Sequence, residues 1–269
     1  MSRVVRGPFT SQLPGTHDVP VHRWLYDVPG ILHRDLSLNN IMCRIIELIS
    51  AEGKTREVYG VLTDYDLSSW KEELKTDYTR TSQQRTGTPP YMAYELLMGA
   101  STTHLYRHDM ESLFYIMLLM CARHTIVHSN GGANAEAKSG VVMRRGKLPY
   151  QRWFEGQDYD TLGSLKNSFF VLTKTIELSP AFEDFRAWLQ VLQYRFSNGF
   201  MLKLADVSWK KQVGSSADEH PPFDDETLGG RVDYSSFIEP VGRLTGQLEG
   251  LIIRYPSTVN PTSAAPADA

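Results

Sequence analysis

This sequence of 269 residues has few cysteines, short apolar runs and only a small excess of negative charge. The two cysteines, Cys43 and Cys121, are too few for a disulfide framework, have no metal-ligand partner at short spacing, and favour a reducing compartment. The longest apolar run, Phe114 to Ala122, is too short to span a bilayer, and prolines and polar residues interrupt any signal-peptide core. A net charge of −3 gives no support to non-specific nucleic-acid binding. We therefore expect a cytoplasmic or nuclear protein with no membrane and no nucleic acid as its partner.

What is present is the composition of an ordinary globular protein, with 41% hydrophobic and 22% charged residues. Residues 1–20 contain glycines and prolines but few apolar residues, which predicts an irregular arm. Residues 253–269 are rich in Pro, Ser, Thr and Ala, which predicts a disordered tail. The region 21–252 between them is expected to fold.

The strongest helix prediction is Asp109–Arg123, with Asp109 as N-cap. This helix is apolar on all faces, which places it in the middle of a domain. A β-hairpin is predicted from Ile41–Ser50 and Glu57–Thr63, joined by a turn. Further helices are predicted at 21–26, from Tyr91 to Leu97, at 161–177, at 180–197 and at 234–252, with loops at 124–148 and 210–225. Within the helix at 180–197, Phe182, Phe185 and Trp188 share one side, which is typical of a core-facing surface.

The segment Ile31–Met42 has residues suited to a chemical role, because apolar pairs flank a short polar run. This pattern suits a loop held between two buried anchors, with its polar side chains facing a site. Asp35 and Asn40 stand five residues apart, a spacing in which a carboxylate orients an attacking hydroxyl while an amide oxygen holds Mg²⁺. An ordinary loop, in which Asp35 and Asn40 satisfy backbone amides, explains the same residues.

The predicted hairpin supports the chemical interpretation of this loop. Its second strand leads to Asp64 and returns that carboxylate to the neighbourhood of Asn40, as a shared metal site requires. Residues 68–90 follow and are polar and rich in hydroxyl groups, and a long exposed loop of this kind is more often functional than structural.

Four segments resemble, in order, parts of the C-terminal lobe of a eukaryotic-type protein kinase. They are the loop His33–Asn40, the triplet Asp64-Tyr65-Asp66, the stretch Gly87–Glu95, and His108-Asp109 at the start of the apolar helix. The Asp-Tyr-Asp triplet, the sequence from His108 to Phe114 and the sequence Asp225–Gly230 are more narrowly similar to the fungal-type protein kinase family. The resemblance implies an α+β, mostly helical fold: a protein-kinase-like C-terminal lobe over 21–252, with the N-terminal lobe largely missing.

The resemblance also implies which residues form the active site. Asp35 would be the catalytic carboxylate, with Arg34 and Thr88 beside it, and Asn40 and Asp64 would bind the Mg²⁺ ions that hold ATP. Arg34 would also engage a phosphorylated activation loop.

Two further residues have supporting roles by resemblance. Asp109 would hydrogen-bond the backbone of the catalytic loop, and Glu95 would form an ion pair with either Arg186 or Arg195.

The sequence departs from the kinase pattern at several positions. Ser37 replaces a lysine near the transferring phosphate, Asp66 replaces a glycine in a turn that needs a left-handed residue, and Tyr94 replaces a proline. No glycine-rich loop precedes His33, and the first lysine is Lys54. We therefore expect this chain alone to have little or no phosphate-transfer activity.

Three functions compete at this point. The first is a serine/threonine-type protein kinase, with ATP and Mg²⁺ as cofactors and a protein as substrate. The second is a pseudokinase-like binding module that transfers nothing, and the third is a small-molecule kinase similar to the aminoglycoside type. The long hydroxyl-rich segment that ends at Ala93 favours a protein substrate over a small molecule. Self-association through the apolar surface that faces the N-terminal lobe in kinases is a further expectation.

Overall fold

The computed structural model describes residues 18–50, 53–71, 87–101, 103–129, 138–156, 158–213 and 221–237. Most of the predicted arm, the predicted tail and the predicted helix at 234–252 after residue 237 lie outside these ranges. The helices are α1 (Asp18–Asp27), α2 (Tyr94–Leu97), α3 (Tyr106–Arg123), α4 (Tyr159–Val171) and α5 (Arg186–Val213). The strands are β1 (Ile31–Leu32), β2 (Ile41–Ser50), β3 (Gly53–Leu62), β4 (Ser69–Trp70), β5 (His124–Ser129) and β6 (Lys138–Met143). Short 3-10 helices cover Leu38–Asn40, Gln151–Phe154 and Pro180–Phe185. The fold is α+β and mostly helical, as predicted.

Helix α3 is the centre of the core, as its apolar sequence predicts. All of its residues except Met120 are buried. It begins three residues earlier than predicted, with Leu105 as N-cap, so the prediction of Asp109 as N-cap is wrong. The reason is that the Asp109 carboxylate is turned toward the loop at residues 33–34 and accepts hydrogen bonds from that backbone.

Aromatic rings join the helices around α3. The ring of Phe114 lies 5.9 Å from Phe170 of α4 and 5.6 Å from Phe196 of α5. The predicted aromatic stripe is confirmed, since Phe182 and Trp188 are buried and Phe185 is half-buried. Each such ring removes on the order of 200 Å² from water, so these contacts dominate the stability of the fold.

The predicted hairpin is confirmed by the antiparallel pairing of β2 with β3, from Ile41 opposite Leu62 to Ser50 opposite Gly53. The prediction of a loop over 124–148 is wrong, because β5 and β6 form a second antiparallel hairpin there. The β-branched run Thr125-Ile126-Val127 and the pair Val141-Val142 explain these strands. Polar residues around the two runs hide this signal in the sequence.

The long helices differ from prediction in their ends. Helix α4 stops at Val171, six residues before the predicted end, and Thr173 beyond it has a left-handed backbone with φ of 40°. The predicted helix at 180–197 starts as a 3-10 helix and continues as α5 to Val213, so the loop predicted from residue 210 begins too early. Good helix formers without proline or glycine after Phe200 account for the extension. No helix in the described ranges is long and apolar enough to cross a membrane.

Candidate active site

Asp109 of α3 holds the backbone of the loop between β1 and β2 in place. Its carboxylate accepts hydrogen bonds from the backbone N–H of His33 at 2.9 Å and of Arg34 at 3.1 Å. The Nε2 atoms of His22 and His104 lie 2.9 and 2.8 Å from the same carboxylate. The predicted contact between Asp109 and the loop backbone is confirmed, and the two histidines extend it into a buried cluster.

This cluster decides the charge state of Asp109, which is fully buried. Burial alone would raise the pKa of the carboxyl group. The neighbouring His104 and His22 outweigh burial and hold the pKa of Asp109 well below its usual range. Asp109 is therefore an ionised acceptor that fixes the backbone of the loop.

Arg34 makes the sharp bend that presents the rest of the loop. Its φ of 69° lies in the left-handed region, where a non-glycine residue is uncommon. Its buried guanidinium donates from Nη1 to Ser69 Oγ at 2.5 Å, which ties the loop to β4. Burial lowers the pKa of Arg34, and the charge of Asp109 works in the opposite direction.

Asp35 lies at the centre of a small hydrogen-bonded group. The Thr88 hydroxyl donates to Asp35 Oδ1 at 2.9 Å. The Nδ2 atom of Asn40 donates to the Asp35 carbonyl at 2.8 Å and lies 3.4 Å from Asp35 Oδ2. The structure thus brings Asp35, Asn40 and Thr88 together. Among the described residues, Oδ2 has only this long contact, which leaves room for a further hydrogen-bond donor.

The position of Thr88 depends on Gly87, whose φ is 127°. A side chain there would meet the Met92 side chain at 3.3 Å and the Arg34 carbonyl oxygen at 3.4 Å. Glycine therefore permits the close approach of this segment to the loop.

Asp64 is brought to the same region by the hairpin, through its neighbour Thr63. The Thr63 N–H donates to the Asn40 carbonyl at 2.9 Å, and the Thr63 hydroxyl contacts the same oxygen at 3.2 Å. Nε2 of His33 lies 3.0 Å from the Thr63 carbonyl oxygen. Because a carbonyl oxygen only accepts hydrogen bonds, this ring nitrogen is the protonated one and donates the hydrogen bond. Asp64 follows directly and is exposed.

The left-handed residue of this turn is Asp64, with φ of 64°, and not Asp66. The expectation that Asp66 would need a left-handed backbone is wrong for that reason. Asp tolerates this conformation better than most residues, so the turn forms without glycine.

The oxygen atoms that this site offers as metal ligands suit Mg²⁺. The amide nitrogen of Asn40 is used by Asp35, which leaves its oxygen Oδ1 for a cation, and Asp64 adds carboxylate oxygens. Mg²⁺ prefers oxygen ligands and takes one or two carboxylates together with phosphates and waters. Within the described ranges, no three or more His, Cys, Asp and Glu side chains are grouped so that they could hold a metal ion by themselves.

The segment Gly87–Glu95 is anchored by residues that the sequence did not reveal. Lys166 is fully buried, and its Nζ donates to the carbonyls of Met92 at 2.6 Å and Pro89 at 3.2 Å. Glu111, also fully buried, accepts the N–H of Tyr94 at 2.8 Å. Burial lowers the pKa of Lys166 and raises the pKa of Glu111 to about 7.

The predicted partners of Glu95 are wrong. Glu95 pairs with Arg107, which is fully buried, and with Lys203 at 3.1 Å. Arg186, the first residue of α5, instead pairs with Glu183 of the preceding 3-10 helix. Arg107 stands only twelve residues beyond Glu95, and their contact follows from the packing of α2 against α3.

Asp225 completes this ion-pair network. Arg107 donates to the Asp225 carbonyl at 2.6 Å, and Lys203 lies 2.8 Å from the Asp225 carboxylate. Burial alone would raise the pKa of Glu95, but His108, Arg107 and Lys203 hold it well below its usual range. The network fixes the base of α2, which follows the Thr88 segment.

Residues 16–121 match a family model described as fungal protein kinase. Over this stretch, the match supports the resemblance to the fungal-type protein kinase family that was inferred from the motifs. The match contains the loop, Asp64 and Thr88, and it ends within α3. No curated protein and no solved structure matches the chain.

Proposed function

We propose that this chain is the catalytic part of a protein kinase that transfers phosphate from ATP to serine or threonine hydroxyls of proteins. The family match supports a kinase-like function at family level. The observation that carries the finer proposal is the hydrogen-bonded group of Asp35, Asn40 and Thr88 on a loop fixed by Asp109.

In this proposal Asp35 receives the substrate hydroxyl. An ionised carboxylate only accepts hydrogen bonds, and Thr88 already occupies Oδ1. The substrate hydroxyl would therefore donate to Oδ2, which orients its oxygen for attack and takes up its proton. The Asn40 side chain holds the Asp35 backbone during this step through its bond to the carbonyl.

Asn40 and Asp64 are proposed to bind Mg²⁺ through Oδ1 and the carboxylate, and so to hold the nucleotide. Mg²⁺ bound there would neutralise charge on the ATP phosphates. Arg34 is proposed to contact a phosphorylated residue of the segment before Gly87, because a guanidinium pairs strongly with phosphate.

The broader organisation is part of the same proposal. We propose that 21–252 forms a protein-kinase-like C-terminal lobe of a cytoplasmic or nuclear protein. We also propose that the surface that faces the N-terminal lobe in kinases takes part in self-association.

Replacement of Asp35 tests the proposed function. The assay incubates the chain with labelled Mg-ATP and a general protein substrate. We expect little transfer, because Ser37 stands where such kinases usually have a lysine, and we expect Asp35→Asn to abolish it. Asp66→Asn is the matched control, because it makes the same change on an exposed carboxylate nearby, and it should retain transfer. Transfer that survives Asp35→Asn would overturn the role of Asp35.

A binding module without catalysis is the second candidate, and Ser37 favours it. This buried serine stands where serine/threonine kinases usually have a lysine, so one cation for the transferring phosphate is absent. In that case the assay would show no transfer above a blank in any variant. Mg-ATP binding or partner binding would remain measurable.

A further inference from the structure

A basic groove lies beside the segment that follows Thr88. It is formed by residues 144, 147–153 and 174–178 together with parts of α4 and α5, and it has a volume of about 890 Å³. Five of its side chains are basic and one, Glu177, is acidic; the basic ones are Arg144, Lys147, Arg152, Lys174 and Arg186. The whole chain has a net charge of −3, so this groove is an exception to the charge balance of the protein.

The five basic side chains fall into two groups. Arg144 donates to the Ala122 carbonyl at 3.0 Å, and Arg186 pairs with Glu183, so these two have structural partners. Lys147, Arg152 and Lys174 are exposed and make no side-chain hydrogen bond or ion pair within the described part of the chain. A cluster of exposed cations without carboxylate partners repels itself, and an anionic ligand would relieve that repulsion.

Arg123 does not line the groove but adds a positive charge near Tyr91, in the segment that follows Thr88. Its guanidinium lies 3.9 Å from the ring centre of Phe154, and that ring contacts Tyr91 at 6.4 Å. Arg123 is 7% exposed, and its Nη1 has no hydrogen-bond partner among the residues described. Arg123 is therefore too buried to contact a ligand directly and contributes only its positive charge to this region.

The floor of the groove favours a peptide over a nucleic acid. Trp153 and Phe169 are 6% and 3% exposed, and their rings pack edge to face at 5.8 Å. Stacking of nucleic-acid bases needs exposed aromatic faces, which these two residues do not offer. The partly exposed Leu165 and Leu178 offer apolar contacts suited to aliphatic side chains.

We propose that this groove binds an acidic peptide segment of a protein ligand, with Lys147, Arg152 and Lys174 contacting its carboxylates. The identification of this ligand as the kinase substrate rests on the proposed function, whereas the binding itself does not. Under that function, the enzyme would select proteins that carry an acidic stretch away from the phosphorylated hydroxyl.

The test is fluorescence anisotropy with a short labelled peptide rich in Glu, Asp and Leu, in the absence of nucleotide. We expect saturable binding that weakens with salt, and no binding of the peptide with Gln and Asn in place of the acids. Each of Lys147→Gln, Arg152→Gln and Lys174→Gln should weaken binding about two- to five-fold, as is typical of exposed ion pairs. The triple variant should weaken it at least about tenfold.

A matched triple variant controls for net charge. Arg44→Gln, Lys211→Gln and Arg231→Gln remove three exposed cations outside the groove and should leave binding unchanged. Equal loss in the two triple variants would overturn the proposal in favour of non-specific attraction. All six positions are exposed, so unchanged thermal unfolding should verify that the variants are folded.

Two competitor ligands complete the experiment. If a phosphoserine peptide binds and the acidic peptide does not, the proposal of an acidic peptide ligand is wrong and the groove instead binds phosphopeptides. Single-stranded RNA that displaces the acidic peptide at lower concentration would overturn a peptide ligand altogether. The groove proposal and the proposed function can be tested separately. If Asp35→Asn retains phosphate transfer while peptide binding still depends on the groove residues, the proposed function is wrong and the groove proposal stands.

Discussion

Replacement of Asp109 by Asn should destabilise the protein strongly and release the loop at residues 33–34. The Asp109 carboxylate receives four contacts, from two backbone N–H groups and two imidazoles, and it is fully buried. The amide of Asn keeps one acceptor oxygen and turns an N–H₂ group toward some of these donors. Each buried donor left without an acceptor costs about 1–3 kcal/mol.

These four costs are not additive, because the contacts share one carboxylate and the cluster can relax. Removal of one partner from a buried charged cluster typically costs about 3–5 kcal/mol, and we expect a loss in this range. Since domains are stable by only about 5–15 kcal/mol, the variant should be folded but clearly weakened.

Urea unfolding at neutral pH measures this change through the free energy of unfolding. Asp66→Asn is the control and should change the free energy of unfolding by no more than about 0.5 kcal/mol, because Asp66 is exposed. Hydrogen exchange supplies a local measurement: the amides of His33 and Arg34 should exchange faster in Asp109→Asn than the core amides do. A loss below about 1 kcal/mol, or unchanged exchange at these two amides, would refute the account of how the loop is held.

Two further predictions concern the buried charges around α2 and α3. Burial raises the pKa of Glu111 from 4.5 to about 7, so the folded state keeps a proton that the unfolded state has lost between these values. The contribution of Glu111 to stability is present below pH 4.5 and is lost as the pH rises through 7. Between these pH values, the free energy of unfolding of the wild type should therefore fall by about 3 kcal/mol relative to that of Glu111→Gln. If urea unfolding gives the two proteins the same pH dependence of the free energy of unfolding, this prediction is contradicted. Arg107→Gln should cost about 3–5 kcal/mol, because it removes one charged partner of the buried Glu95 and leaves it with Lys203 and the buried His108. Glu95→Gln in the same background should recover part of that loss in thermal or urea unfolding, and strictly additive losses would show that the pair is not coupled.

Short-range patterns in the sequence were sufficient for the hairpin and the catalytic-loop motif. The hairpin follows from two β-rich runs joined by a turn, and it alone places Asp64 near Asn40. The family resemblance added Asp109, whose contact with the loop spans 76 residues and has no local signal.

What sequence reasoning missed depends on how distant elements pack. The resemblance predicts that Glu95 pairs with an arginine of a later helix, but the approach of α2 to α3 brings it to Arg107 instead. Lys166 is a charged residue, and charged residues are rarely fully buried, so its role under the segment at residues 89–92 could not be anticipated. His22 lies 87 residues from Asp109, and nothing in its surroundings indicates the contact.

Binding of Mg-ATP tests most directly whether the loop and hairpin form a nucleotide site. Thermal unfolding with increasing Mg-ATP should show a rise in midpoint temperature that disappears without the metal, since ligand binding stabilises the folded state. Asp64→Asn should lose this rise while keeping the left-handed backbone at that position, and Asp66→Asn should retain it. No response to Mg-ATP, or an equal response in Asp64→Asn and wild type, would contradict the proposed site.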